Sequence, residues 1–200
     1  MASGPRTIRD QVTDQIRDDV VAGNFPAGQP LRESEFAERF GVSRGPIRDA
    51  FLKLSQEGLL AYQANRGVTV RRPPDSANRD FIISLRRQIE SYALQTGMGQ
   101  LTSGGIESIA KRLDELKRAC ADNDVAKVAN CDIAFHEEIL TASGAADFLP
   151  VWKWLCSQML LTYTRLENYD QVLDEHVQIL DELRAGRTQE AVAALQANVR

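Results

Sequence analysis

The 200-residue chain is 43% hydrophobic and 26% charged, with a formal net charge of −4, which fits a soluble globular protein with one large or two modest cores. No apolar run approaches the ~20 residues a membrane helix needs, and the opening "MASGPRTIRD" lacks the hydrophobic stretch of a secretory signal, so a cytoplasmic location with no membrane contact is expected. Cys120, Cys131 and Cys156 form an odd set without metal-type spacing, which reads as buried free thiols in a reducing compartment.

Charge is unevenly divided. Residues 1–74 hold 11 Lys/Arg and 9 Asp/Glu, a balance of +2, whereas residues 75–200 hold 13 and 19, a balance of −6. Two domains, 1–74 and 75–200, are expected, the first facing an anion.

In chain order, Ile8, Val12, Ile16 and Val20 recur every four residues, so 6–22 reads as an amphipathic helix. "GNFPAGQP" (23–30) must turn, having two glycines and two prolines in eight residues. "RESEFAERFG" is a short helix closed by Gly41. A longer helix follows, with Ser43 as N-cap and Pro46 in its first turn, where a missing N–H costs little. "LLAYQANRGVTVRR" reads as a small β-hairpin with Gly67 near the bend, and "RPPDSAN" (72–78) as a linker in which Asp75 or Ser76 caps the next helix. Beyond 78 the periodicity is helical throughout, with helices expected at about 77–97, 104–121, 124–142, 146–166, 169–185 and 187–199. The fold class is therefore mostly α: an N-terminal winged helix-turn-helix with a small hairpin, then an all-helical bundle.

In a winged helix-turn-helix the second helix of the pair enters the DNA major groove by its N-terminal end. That end is "SRGPIRDA", with Arg44 and Arg48 on one face. An arginine fork can hold guanine O6 and N7 together, while Ile47, Phe51, Leu52 and Leu54 lie on other faces, open to a core. Arg32 and Arg66 sit where the preceding turn and the hairpin tip approach phosphates. The bland alternative is a solvated basic face.

"NFPAGQPLRESEFAERFGVSRGPIRDAFLKLSQEGLLAYQANRGVTV" resembles the DNA-binding domain of the GntR family of bacterial transcription regulators over residues 7–72. The shared pattern runs L-x-E-x-x-hydrophobic-A, GVSR-x-P-hydrophobic-R-[ED]-A, L-x-x-EGL and RG-x-x-V, with Asp49 where Glu is usual. The resemblance implies that Arg44 and Arg48 read bases beside Ser43, that Arg32 supports them at the DNA backbone, and that Arg66 and Gly67 form a wing tip at the minor groove. A glycine there permits close backbone approach.

In the bundle, "CDIAFHEEIL" places Asp132, Phe135, His136 and Ile139 on one helical face. Leu173, His176, Val177 and Leu180 share another, and Ala191, Leu195 and Asn198 a third, so Asp132, His136, His176 and Asn198 all point inward. A carboxylate in an apolar core needs a partner: either a hydrogen bond from His136 or an arginine, or a divalent metal. The segment 78–199 resembles the FCD effector domain of FadR-like GntR regulators, which carries D-x-x-x-H, an EH-containing helix, and a third histidine 22 residues later. Asn198 stands at that third position, and "ASGA" (142–145) where an Asn usually closes the helix. The resemblance implies a divalent ion (Zn, Ni or Mn) on Asp132, His136 and His176, with Asn198 as a weaker oxygen donor. Arg86, which shares a stripe with Ile82, Ile89 and Ala93, and the polar stripe Gln158, Thr162 and Arg165 are candidates to hold a small organic acid. An interhelical salt bridge is the alternative for either arginine.

Together these readings give a ligand-responsive bacterial transcription regulator, a homodimer on a near-palindromic double-stranded operator, and not an enzyme. The competing reading is a metal-dependent hydrolase or lyase on a helical bundle, which accounts for the inward histidines but leaves Arg44, Arg48 and the hairpin without a use. A metal-storage bundle fused to DNA binding is a third.

Overall fold

Val12, Ile16 and Val20 fall on the buried side of the first helix, α1 (Ile8–Val21), whereas Ile8, the head of that series, is exposed. The period marks a face but not how far the covering elements reach. The structure is a computed structural model describing residues 7–63, 67–161 and 168–200. Its chain divides into two compact units: one running up to Pro73 and taking in a segment that begins at Ser157, the other starting at Pro74 and ending at Arg200.

In the first unit α1 is followed by β1 (Pro30–Leu31), α2 (Glu33–Phe40), α3 (Arg44–Gln56), β2 (Leu60–Gln63) and β3 (Gly67–Val70). The α2–α3 turn depends on Gly41, whose φ of +65° is the left-handed conformation that glycine adopts without a Cβ penalty. Strand β1 has no counterpart in the sequence reading. It adds to the expected hairpin, giving an antiparallel sheet of order β1-β3-β2 with Leu31 opposite Val68. Two residues are too few to show an alternation, and Pro30 is tolerated because the strand is an edge. Ile16, Ile47, Phe51, Leu54, Leu59 and Leu60 make the core, and Phe36 meets Phe51 edge-on at 5.3 Å. Leu52, expected to be open to that core, is 52% exposed.

The second unit is helical among its described residues: α4 (Ser76–Gly97), α5 (Ser103–Ala121), α6 (Val125–Ala142), most of α7 (Leu149–Leu160), α8 (Tyr169–Arg184) and α9 (Thr188–Asn198). Asp75 caps α4 by accepting from the Asn78 N–H at 2.9 Å. Of the helix expected over 146–166, the first part is a 3-10 turn, Ala146–Phe148, followed by α7 to Leu160, and residues 162–166 lie outside the described residues. Pro150 lies in the first turn of α7, where no N–H is needed. The buried faces of α4 and α8 keep Arg86 and Ala93, and His176 and Leu180, from the stripes read in the sequence, and extend to Ile83, Glu90 and Leu94 on α4 and to Val172, Ile179 and Leu183 on α8. Of the three thiols only Cys156 is buried, and burial pushes it up to about 12; Cys120 and Cys131 are half-buried. None of the described helices is long and apolar enough to cross a membrane.

Candidate functional site

Two constellations carry the chemistry, one in each unit. In the first, Ser43 is the N-cap residue of α3 by backbone conformation, but its hydroxyl makes no capping hydrogen bond. Arg44 and Arg48 both project from exposed positions of the first turns, while Ile47 between them and Ala50 beyond are fully buried. The core thus fixes the helix and leaves both guanidinium groups outside. Arg44 lines a groove of about 790 Å³ with Arg32, Glu33, Tyr62, Gly67 and Arg72.

Both exposed acids at the head of α2 are paired. Glu33 accepts from Arg48 Nε at 3.0 Å and Nη2 at 3.1 Å, and the hydrogen bond holds its carboxyl below the usual range. Glu35 accepts from Arg32 Nη1 at 3.2 Å. Gly67 opens β3 with a φ of +77° and nothing within 4 Å of where a Cβ would stand, so backbone conformation, not crowding within the chain, accounts for glycine here. Arg66 lies outside the described residues. The sequence offered no signal for Glu33, which is fifteen residues from its partner, nor for Tyr62 and Arg72.

In the second unit α6 presents Asp132 and His136, and α8 presents His176, all three buried, with candidate ligand atoms within 4.8 Å of one another. Asn198, at the end of α9, joins them half-buried. The four residues read as inward-facing are therefore together, and the hydrogen-bond partners fix how each is oriented.

His136 Nδ1 lies 2.8 Å from Glu90 Oε2, and His176 Nδ1 lies 2.7 Å from the Val172 carbonyl oxygen. Both partners only accept, so each Nδ1 donates, and each Nε2 stands against a second oxygen. His136 Nε2 is 2.9 Å from Asn198 Oδ1, and His176 Nε2 is 3.1 Å from Asp132 Oδ1, the latter without the alignment of a hydrogen bond. The Asn198 amide cannot turn to donate, because its Nδ2 is committed to Glu175 Oε2 at 3.1 Å. Glu175 is itself held by Arg200 at 2.7 Å.

Glu90 anchors the rest. Its Oε1 accepts from Arg86 Nε at 2.6 Å and from Trp152 Nε1 at 2.7 Å. Burial alone would raise its pKa, but the Arg86 charge and the His136 and Trp152 contacts bring it down to about 2. Burial is likewise outweighed at Asp132, where His176, His136 and Arg86 hold the carboxyl well below the usual carboxylate range. Arg86, read as holding an organic acid or an interhelical salt bridge, instead pairs with Glu90 on its own helix, and nothing in the sequence showed that Glu90 would orient His136. Gln158 is buried and donates to the Ser157 hydroxyl at 3.2 Å. It groups with the first unit. Thr162 and Arg165 lie outside the described residues.

Two family models match the chain: bacterial regulatory proteins of the gntR family over residues 8–70, and the FCD domain over residues 81–200. A probable D-xylose utilization operon transcriptional repressor of Paenarthrobacter nicotinovorans is 28% identical over 212 residues, spanning 99% of this chain and 90% of that protein. A putative L-lactate dehydrogenase operon regulatory protein of Escherichia coli is 25% identical, over 98% and 84%. The fold is that of Escherichia coli McbR/YncC, with a TM-score of 0.78 at 20% identity, over 98% and 94% of the two chains. Neither matched domain is that of a hydrolase, a lyase or a metal store, so those alternatives are withdrawn.

Proposed function

For a chain that belongs to the GntR family of bacterial regulatory proteins and carries an FCD domain, which makes it a ligand-responsive transcription regulator and not an enzyme, we propose the following action. It is a cytoplasmic homodimer, with residues 1–74 as the DNA-binding domain and 75–200 as the effector and dimerisation domain. Each subunit reads one half-site of a near-palindromic operator through Arg44 and Arg48, with Arg32, Ser43, Arg66 and Gly67 toward the DNA backbone and minor groove. An exposed apolar patch of Tyr92, Phe148, Val151 and Trp154 supports dimerisation, Tyr92 and Phe148 already meeting edge-on at 5.6 Å.

The helical domain responds to a small organic acid bound beside a divalent ion such as Zn²⁺, Ni²⁺ or Mn²⁺. The observation that carries this reading is the convergence of Asp132, His136 and His176, whose candidate ligand atoms lie within 4.8 Å of one another, with the Asn198 oxygen 2.9 Å from His136 Nε2. One cation shared by Asp132, His136, His176 and the Asn198 oxygen would supply a Lewis-acidic seat for the effector carboxylate. Glu90 and the Val172 carbonyl act as the outer partners that fix imidazole orientation at metal centres, and Glu175 does the same for Asn198. Arg86 adds a nearby cation, its Nε already bound to Glu90. Thr162 and Arg165 remain effector candidates with Gln158. The named relatives, for a D-xylose utilization operon and an L-lactate dehydrogenase operon, support a small metabolite as the signal. Regulation follows only if the effector binds one arrangement of the DNA-binding domains better than the other.

The test is native mass spectrometry with elemental analysis of the purified protein, followed by footprinting over a salt series. A bound divalent ion and a protected two-fold site whose affinity falls steeply with salt are expected. A protein that protects such a site as a monomer would contradict the dimer. A chelator-treated protein that takes up no divalent ion would remove the metal.

A further inference from the structure

The exposed pair between Glu33 and Arg48 is unexpected on a surface meant for DNA. A carboxylate there repels phosphates and lowers sequence-independent affinity. We propose that Glu33 is a positioning residue for base reading: it holds one edge of the Arg48 guanidinium and presents the other edge to the base pairs.

The geometry sets which edge is which. A guanidinium has five N–H donors: one on Nε and two on each Nη. Glu33 takes the Nε side, one oxygen on Nε at 3.0 Å and the other on Nη2 at 3.1 Å. The Nη1 protons and the second Nη2 proton remain, and they form the end-on fork whose spacing matches guanine O6 and N7. Glu33 and that fork can therefore be engaged at once, and nothing has to be exchanged when DNA arrives. A long, 64% exposed side chain otherwise loses much rotamer freedom on binding. Here part of that ordering exists before the encounter, which favours the sequence that uses the fork over one that does not. The rigid end of the pair is Glu33, the first residue of α2, whose helix is fixed by buried Phe36.

This inference rests on the reading of Arg48 as a base-contacting residue, and the experiment separates the two. Wild type selects a duplex from a random-sequence pool, and binding to it is compared with binding to a scrambled duplex of equal composition at fixed salt. Glu33→Ala should lower the selected-to-scrambled ratio about tenfold, the loss of one well-formed base contact, while affinity for the scrambled duplex stays level or rises. Glu33→Ala with Arg48→Ala should show the ratio of Arg48→Ala alone, because the carboxylate acts only through that side chain. A first-turn acid that merely supports α2 would lower both affinities together and leave the ratio intact, which overturns the proposal. So does a ratio that rises in Glu33→Ala, since the carboxylate would then be masking Arg48. Additive losses in the double variant also overturn it. If Arg48→Ala itself keeps the wild-type ratio, the reading of α3 fails and the Glu33 proposal falls with it.

Discussion

Each half of the chain holds an arginine against a glutamate, and the two pairs differ in almost every respect that matters. Arg48 and Glu33 are 64% and 32% exposed, whereas Arg86 and Glu90 are 5% and 0% exposed. Water can replace either partner of the outer pair, so the pair holds a shape at little cost and can add a third partner such as a base. Nothing can replace the inner pair. Glu90 also receives Trp152 Nε1 and His136 Nδ1, so removing it strands three donors in a dry core. The same two residue types make a recognition device at the surface and a structural post in the interior.

The largest effect should come from breaking the inner post. Glu90→Ala is expected to lower stability by about 3–5 kcal/mol in urea denaturation of the full chain, with loss of the His136 orientation. The pH dependence has a definite sign. The Glu90 pKa is depressed from 4.5 to about 2, so its contribution is complete above the unfolded value and is lost as pH falls from about 4.5 toward 2. A variant that unfolds at the wild-type midpoint would erase the distinction between the two pairs.

Next is the ion. In chelator-treated protein, added divalent metal at 100 times its dissociation constant should raise stability by about 2.7 kcal/mol. Asn198→His should tighten binding in titration calorimetry, about tenfold or more, because imidazole nitrogen is a stronger donor to these ions than an amide oxygen. No uptake by wild type or by Asn198→His would mean that the Asp132–His176 and His136–Asn198 contacts are structural.

How much of this could be read in the chain depended on whether the decisive partner was close in sequence. The inward face of α6 followed from a period of 3.6, whereas the meeting of Asp132, His136, His176 and Asn198 was implied by the resemblance to the FCD domain. Arg86–Glu90, four residues apart on one helix, has a helical spacing, yet the sequence points Arg86 to an organic acid or an interhelical salt bridge. Glu90–His136 and Glu33–Arg48 were not readable, because one spans 46 residues, the other 15, and neither has a periodic signature. Strand β1 escaped for a related reason: two residues acquire a strand's identity only from pairing with β3. Leu52 and Ile8 show the reverse error, apolar residues in a readable pattern that are exposed among the described residues.

The readout residues come third. Arg44→Ala and Arg48→Ala should each cost about tenfold or more in discrimination between a selected and a scrambled duplex. Footprinting that shows wild-type specificity in both variants would detach α3 from the major groove.

The smallest effect is the one that most sharpens the comparison. Arg48→Ala removes both hydrogen bonds of the outer pair, yet the thermal midpoint of the DNA-free protein should stay within the spread of replicate measurements. The two side chains are 64% and 32% exposed, and Glu33 regains water when its partner leaves. Coulomb attraction between two such exposed groups is screened further by ordinary salt. A clear drop in the midpoint would mean that the pair clamps α2 to α3, and that its role is structural in the way the inner pair's is. An unchanged midpoint with lost operator preference would place the whole contribution of Arg48 in recognition.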